Sequence, residues 1–237
     1  MSIRSTIESL FTQQVTTFTD YGLFRALETG QAPTASYISF IENVVRTHFK
    51  SPQLLAFLFA VAPPQAADNL QHNLLEELGI DQESDVAHPS LLKQLAIGAG
   101  LAHQLPALEA QAEADLRQVI TTPLLYGTLK EVGLAALYEV TAFEFMLSRG
   151  AQRIADALAS YCGLSPATLL WFTHHATVDQ RHAEQGFENL LSYLRAYEFS
   201  DADARTILEM TLRGNVFIKR YFGIPLANTS AVAEVTR

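Results

Sequence analysis

The segment HHATVDQRHAEQGF, residues 174–187, packs three histidines and an aspartate into its first nine positions. A predicted helix over Leu169–Tyr197 contains it. Turned by about 100° per residue, that helix puts Leu169, Phe172, Ala176, Ala183, Phe187, Leu190 and Leu194 on one side, which must face a core. His175, Asp179 and His182 form one column touching that side, and Gly186 continues it. His174 points away with Arg181 and Gln185 and reads as surface. A polar column at a helix shoulder can be an ordinary solvated edge. Three ligand-type groups within about 10 Å of helix axis can also converge on an ion without backbone strain. Burying them unpaired would cost several kcal/mol.

The same helical period runs through nearly the whole chain, and strand signals are almost missing. Short breaks punctuate it: GQAP at 30–33, APP at 62–64, GIDQESD at 79–85, TTP at 121–123, GLSP at 163–166 and EFSDAD at 198–203. Thr34 or Ser36, Ser165 before Pro166, and Ser200 are placed to cap the helices that follow. The expected fold class is all-α: one bundle of about seven to nine antiparallel helices over residues 1–225, then a flexible tail over 226–237.

Composition narrows the function. A chain of 237 residues with 49% hydrophobic and 17% charged residues can bury a sizeable core. The formal net charge of −9, with no Lys/Arg cluster, argues against a nucleic-acid partner. Cys162 is the single cysteine, so no internal disulfide can form. The N-terminus lacks a signal-peptide layout, and the longest apolar run, Leu54–Ala62, is about half of what a membrane span requires. These features predict a cytoplasmic protein with no membrane partner and a small-molecule substrate; a homodimer is left open.

Two further signals accompany the column. In LYEVTAFEFM, 137–146, Glu139 lies mid-stripe among Leu125, Val132, Ala135, Phe143 and Met146, while Glu144 points away and Glu131 sits near the edge. A mid-stripe carboxylate must be paired, protonated or metal-bound. In HNLLEELGIDQESDVAH, 72–88, Glu77 lies close to the inward face marked by Leu70, Leu74 and Leu78. Glu76 is the alternative ligand if the helix axis shifts. His88 opens the next helix before Pro89, where a ligand and a surface residue are equally reasonable. His48, His72 and His103 lack such convergence and read as structural. The inventory is Glu77, His88, Glu139, His175, Asp179 and His182, which suits iron or manganese and suggests two ions bridged by a carboxylate.

The order Glu77-Leu78-Gly79, His88, a lone mid-chain Glu139, then His175, Asp179 and His182 resembles the haem-oxygenase-like diiron oxidases and oxygenases, over roughly residues 10–222. The resemblance implies a haem-oxygenase-like bundle, two Fe(II)/Fe(III) ions and no haem, and O2 as co-substrate. It implies Glu139 as the bridge, His88, His175 and His182 as imidazole ligands, and Glu77 and Asp179 as terminal carboxylates, with Glu76 still open. No catalytic residue beyond the ligands is implied. Members oxidise amino-acid-like substrates or decarboxylate fatty acids to alkenes. Length and spacing are most similar to members that turn a halogenated tryptophan side chain into a nitrile with C–C cleavage, a step of natural product biosynthesis. The alternatives are a fatty-acid oxidative decarboxylase and a non-catalytic interaction protein that keeps the fold. Tyr138 leaves self-modification open, although a packed aromatic is the simpler reading.

A pocket is expected beside Phe143, Phe172, Ala176 and Gly186, closed by a last helix carrying Met210, Thr211, Gly214, Phe217 and Tyr221 inward. Arg149, Arg213, Lys219 and Arg220 are candidates to grip a substrate carboxylate, and each also reads as a solvated charge.

Overall fold

The computed structural model describes residues 2–80, 86–124 and 127–224. The expected tail over 226–237 and most of the GIDQESD break lie outside the described residues, as does Leu125 of the expected stripe. Among the described residues the protein is all-α. Nine helices are of eleven residues or more: α1 (Ile3–Asp20), α3 (Thr34–His48), α4 (Ser51–Val61), α5 (Pro64–Glu77), α6 (His88–Gly98), α7 (Leu105–Leu124), α8 (Leu129–Cys162), α9 (Leu170–Ala196) and α10 (Asp201–Thr211). Two helices of seven residues, α2 (Gly22–Glu28) and α11 (Val216–Phe222), complete the set. No helix among the described residues is long and apolar enough to cross a membrane.

Local chemistry explains the boundaries. Thr128 and Glu131 form a reciprocal capping box at the start of α8, and Gly163 ends it in the left-handed region at φ 65°. Glu131 therefore serves the helix end. Ser165 Oγ accepts from the Thr168 amide and caps a turn that leads into α9, and Ser200 Oγ accepts from the Asp203 amide at α10. Pro33 is the N-cap of α3, in the place expected of Thr34 or Ser36. The TTP break does not interrupt α7. Pro123 falls in its last turn, where a missing N–H removes a single bond.

The last segment departs from the expected single helix. Gly214 and Asn215 adopt φ of 69° and 60°, which splits it into α10 and α11. Asn215 Oδ1 then accepts from the Ile218 amide and restarts the helix. The wheel phase is reset there, so residues before and after the break do not share a face.

α8 is the centre of the molecule. It packs along α9 and is also touched by α1, α2, α3, α4, α7 and α10. Its buried residues therefore lie on every side, from Val132 through Leu158. A helix covered all round has no single inward stripe. α8 and α9 come close at Gly186, where an added Cβ would stand 2.5 Å from Thr141 Cγ2.

Candidate metal centre

Glu77 closes α5 and His88 opens α6, so a chain reversal must bring them together. Gly79, at φ 65°, makes that reversal; a Cβ there would stand 2.4 Å from the Ala87 amide nitrogen. The result is a buried cluster of Glu77, His88 and His175, with one ligand-type atom from each lying within 4.8 Å of the others. His88 Nδ1 stands 2.8 Å from Glu77 Oε1, yet neither ring nitrogen of His88 has an aligned hydrogen-bond partner. Ser51 Oγ donates to Glu77 Oε2 at 2.6 Å. Burial would raise the Glu77 carboxyl, but His88, His175 and Ser51 together hold it down at about 2. Burial drives His175 well below the ordinary imidazole value. Its Nδ1–H donates to the Trp171 carbonyl at 2.6 Å, which fixes the tautomer and leaves the Nε2 lone pair available.

One helical turn along α9, a second cluster is held differently. His182 Nε2 lies 2.9 Å from Glu76 Oε2, which also accepts from Arg181 at 3.0 Å. Asp179 Oδ1 is 3.4 Å from His182 Nδ1, and neither oxygen of Asp179 has an aligned partner. Burial pushes Asp179 up to about 7 despite His182. Burial would lower His182, but Asp179, Glu76 and Glu144 raise it to about 10. Glu144 of α8 is pushed up to about 7 by burial, against the pull of His182 and the Asn73 amide that donates to it at 2.7 Å. Glu76 and Glu77 are both buried, so these two residues are not the either/or choice that the helix wheel suggested.

The sequence expectations for α8 need correction. Glu139 is half-buried, and its Oε1 accepts from Arg220 Nη2 at 2.8 Å and Nε at 3.1 Å. Glu144 is the α8 carboxylate that faces Asp179 and His182. The wheel failed because α8 has neighbours on every side, so the residue opposite the apolar stripe is covered too. His174 is half-buried at the edge of the site, with Nε2 3.8 Å from Glu76 Oε1.

A cavity runs along these donors. Its wall includes Glu77, His175, Asp179, His182, Glu144, Glu139 and Arg220. Leu54, Leu55, Leu116, Val119 and Leu147 line it as well. Of the expected pocket residues, Phe143 lines this cavity, while Gly186 lines a smaller one behind Glu144. Phe172 and Phe217 belong to the core, and Ala176 is half-buried against it. Met210 is 71% exposed and Gly214 is exposed, because α10 packs on α8 and α1 through the face of Ala204 and Leu208. Arg149 lies over the Phe145 ring at 3.5 Å, Lys219 donates to the Arg213 carbonyl, and neither joins the cavity wall. Tyr138 is fully buried with its hydroxyl donating to the Ala204 carbonyl at 3.2 Å.

Sequence reasoning missed Glu144, Ser51 and His48. His48 lines the cavity, and its Nε2 lies 2.7 Å from the Tyr221 hydroxyl. Burial takes its pKa down to about 3, so the ring is neutral. A histidine at a helix end gives no sequence signal of that kind. The 34-residue length of α8 was a usable signal, since a helix this long in a chain this size must run through the core.

The donors fit a metal. Leaving a buried polar atom without a partner costs about 1–3 kcal/mol, and His88 Nε2 and Asp179 Oδ2 are two such atoms, with neither a hydrogen bond nor an ion-pair contact. Two imidazoles and one carboxylate with open positions match the ligand preference of non-haem Fe(II). No curated protein matches the chain. A family model for iron-containing redox enzymes matches residues 38–214, a span that holds every donor described above. The chain belongs to that family of iron-containing redox enzymes.

Proposed function

We propose that the protein is a non-haem diiron oxidase or oxygenase that uses O2 to oxidise a small amino-acid-like substrate. The observation that carries this reading is the pair of donor clusters that share one cavity, with Glu77, His175, Asp179, His182 and Glu144 in its wall and His88 behind Glu77 and His175. Glu77, His88 and His175 would hold one ion; Asp179, His182 and Glu144, with Glu76 beside them, would hold the other. Two bound irons would supply the electrons that reduce O2. The chain's own residues prepare the place. Ser51 and the Trp171 carbonyl fix the orientation of Glu77 and His175. The leucines of the lining would exclude water beside the donors, which strengthens the charge interactions inside the cavity.

Anaerobic loading with Fe(II), iron quantification, and stopped-flow mixing with O2 test this. The panel contains halogenated tryptophans, lysines and medium-chain fatty acids. The expected result is about two irons per chain and a transient visible band that appears only with an amino-acid substrate. A band with fatty acids alone would shift the reading to an oxidative decarboxylase. Haem binding with a Soret band, or no retained iron, would overturn it.

A further inference from the structure

Three ion pairs stand near the cavity: Arg46–Asp115, Lys50–Glu109 and Arg220–Glu139. Arg46 binds Asp115 through both carboxylate oxygens, so Asp115 has no free oxygen to offer. Lys50 reaches the cavity, but Glu109 is not part of its wall and is 49% exposed. Arg220–Glu139 alone has both partners in the wall. Its hydrogen bonding is also lopsided. Arg220 gives both Nε and Nη2 to the single atom Glu139 Oε1. Glu139 Oε2 and Arg220 Nη1 take part in no hydrogen bond among the described residues. The pair, whose two residues both line the cavity, thus keeps an unused anionic acceptor and an unused cationic donor.

From this juxtaposition we infer that Arg220 and Glu139 clamp the head group of a zwitterionic α-amino acid. Its carboxylate sits on Arg220 Nη1 and its ammonium on Glu139 Oε2. Each charge of the ligand meets its opposite, and the existing pair need not break. A ligand with a carboxylate alone would leave Glu139 Oε2 unpaired and close to its own negative charge. An amine alone would leave Arg220 Nη1 unpaired. The aliphatic wall of Leu54, Leu55, Leu116, Val119 and Leu147 then favours an apolar side chain. This assignment rests on the proposed oxidase reading only for what happens to the amino acid after it binds; the clamp itself needs no iron.

Isothermal titration calorimetry tests it on both metal-free and anaerobic Fe(II)-loaded protein. The probes are L-leucine, L-methionine, L-phenylalanine and L-tryptophan, each with its deaminated acid and its decarboxylated amine. At least one amino acid should bind both forms of the protein, with both truncated analogues about tenfold weaker or worse. Arg220→Gln should remove the advantage of the amino acid over the amine, and Glu139→Gln its advantage over the acid. The double variant leaves neither charge unpaired and, if its circular dichroism is native, should lose both advantages. Binding of an acid as tight as that of its amino acid would overturn the clamp. So would no binding by any of the four amino acids, or native discrimination in the double variant. Iron stoichiometry is read separately, so a failed oxidase reading would not be mistaken for a failed clamp.

Discussion

The two donor clusters are neighbours on α9, each with a histidine against a glutamate, yet they differ in how many protons they hold. Glu77, His88 and His175 already point together, and their outer partners, Ser51 and the Trp171 carbonyl, hold them there. Glu77 is ionised and His175 is neutral, as a metal needs. Burial would lower His88, but Glu77 raises it above the ordinary imidazole value, so a metal there has one imidazole proton to displace. The second cluster is closed on itself. His182 is bound to Glu76, while Asp179 and Glu144 sit at about 7 and still hold protons near neutrality. An ion entering there must part an ion pair and displace protons. The difference teaches that one helix can carry two donor sets that hold their protons differently, set by the partners each donor has in the folded chain.

The largest expected effect comes from the first cluster. His175→Ala or Glu77→Ala should abolish its iron equivalent and lower substrate oxidation by at least about 100-fold, since loss of a mere outer partner costs 10–100-fold. Iron analysis with single-turnover assays checks this. Retention of both irons by either variant would erase the distinction between the clusters.

Asp179→Asn should act on the second cluster alone. Iron content should fall from about two equivalents to about one, while the metal-free protein gains stability above about pH 7, where the buried Asp179 would otherwise have to give up its proton. Urea melts of the metal-free forms read the gain, and a destabilised variant would contradict the protonation state assigned to Asp179.

A pH series sharpens the same comparison. The folded-state values of Asp179 and Glu144, about 7, lie above the ordinary carboxyl values near 4. The metal-free fold therefore keeps those protons longer than the unfolded chain, and their contribution to its stability declines as pH rises from about 4 through 7. A metal at the second cluster must displace them. The rise in Tm given by Mn(II) should thus grow between about pH 5.5 and 7.5 in the native protein and stay flatter in Asp179→Asn. Equal slopes would show that the second cluster takes no metal. The smallest effect is expected from Ser51→Ala, a loss of about tenfold in first-cluster affinity with the second unchanged, measured by competition with a chelating dye.

The column on α9 was legible because a single helix fixes the relative positions of His175, Asp179 and His182 without help from the rest of the fold. The end of α5 was only partly legible. Glu76 and Glu77 are both buried, since α4 and α9 both pack against α5, and a helix wheel offers only one inward side. The contribution of α8 was the least legible. A wheel ranks residues by one stripe, and α8 has several neighbours, so Glu139 looked central while Glu144 faced the site. The all-α class followed from the 3.6-residue period alone, whereas the break at Gly214–Asn215 depends on backbone angles that the apolar pattern of 207–224 concealed.

The close approach at Gly186 has a metrical consequence. The second cluster draws Asp179 and His182 from α9 and Glu144 from α8, so the gauge between the two helix axes fixes how far apart those donor atoms stand. Thr141 is buried and β-branched, with a stiff χ1, and it is the spacer that Gly186 rests against. One methyl group at 186 would widen the gauge without altering any donor. The first cluster draws on α5, α6 and α9 and is independent of that measure. Glycine at this position is therefore part of the dimensioning of the second cluster alone.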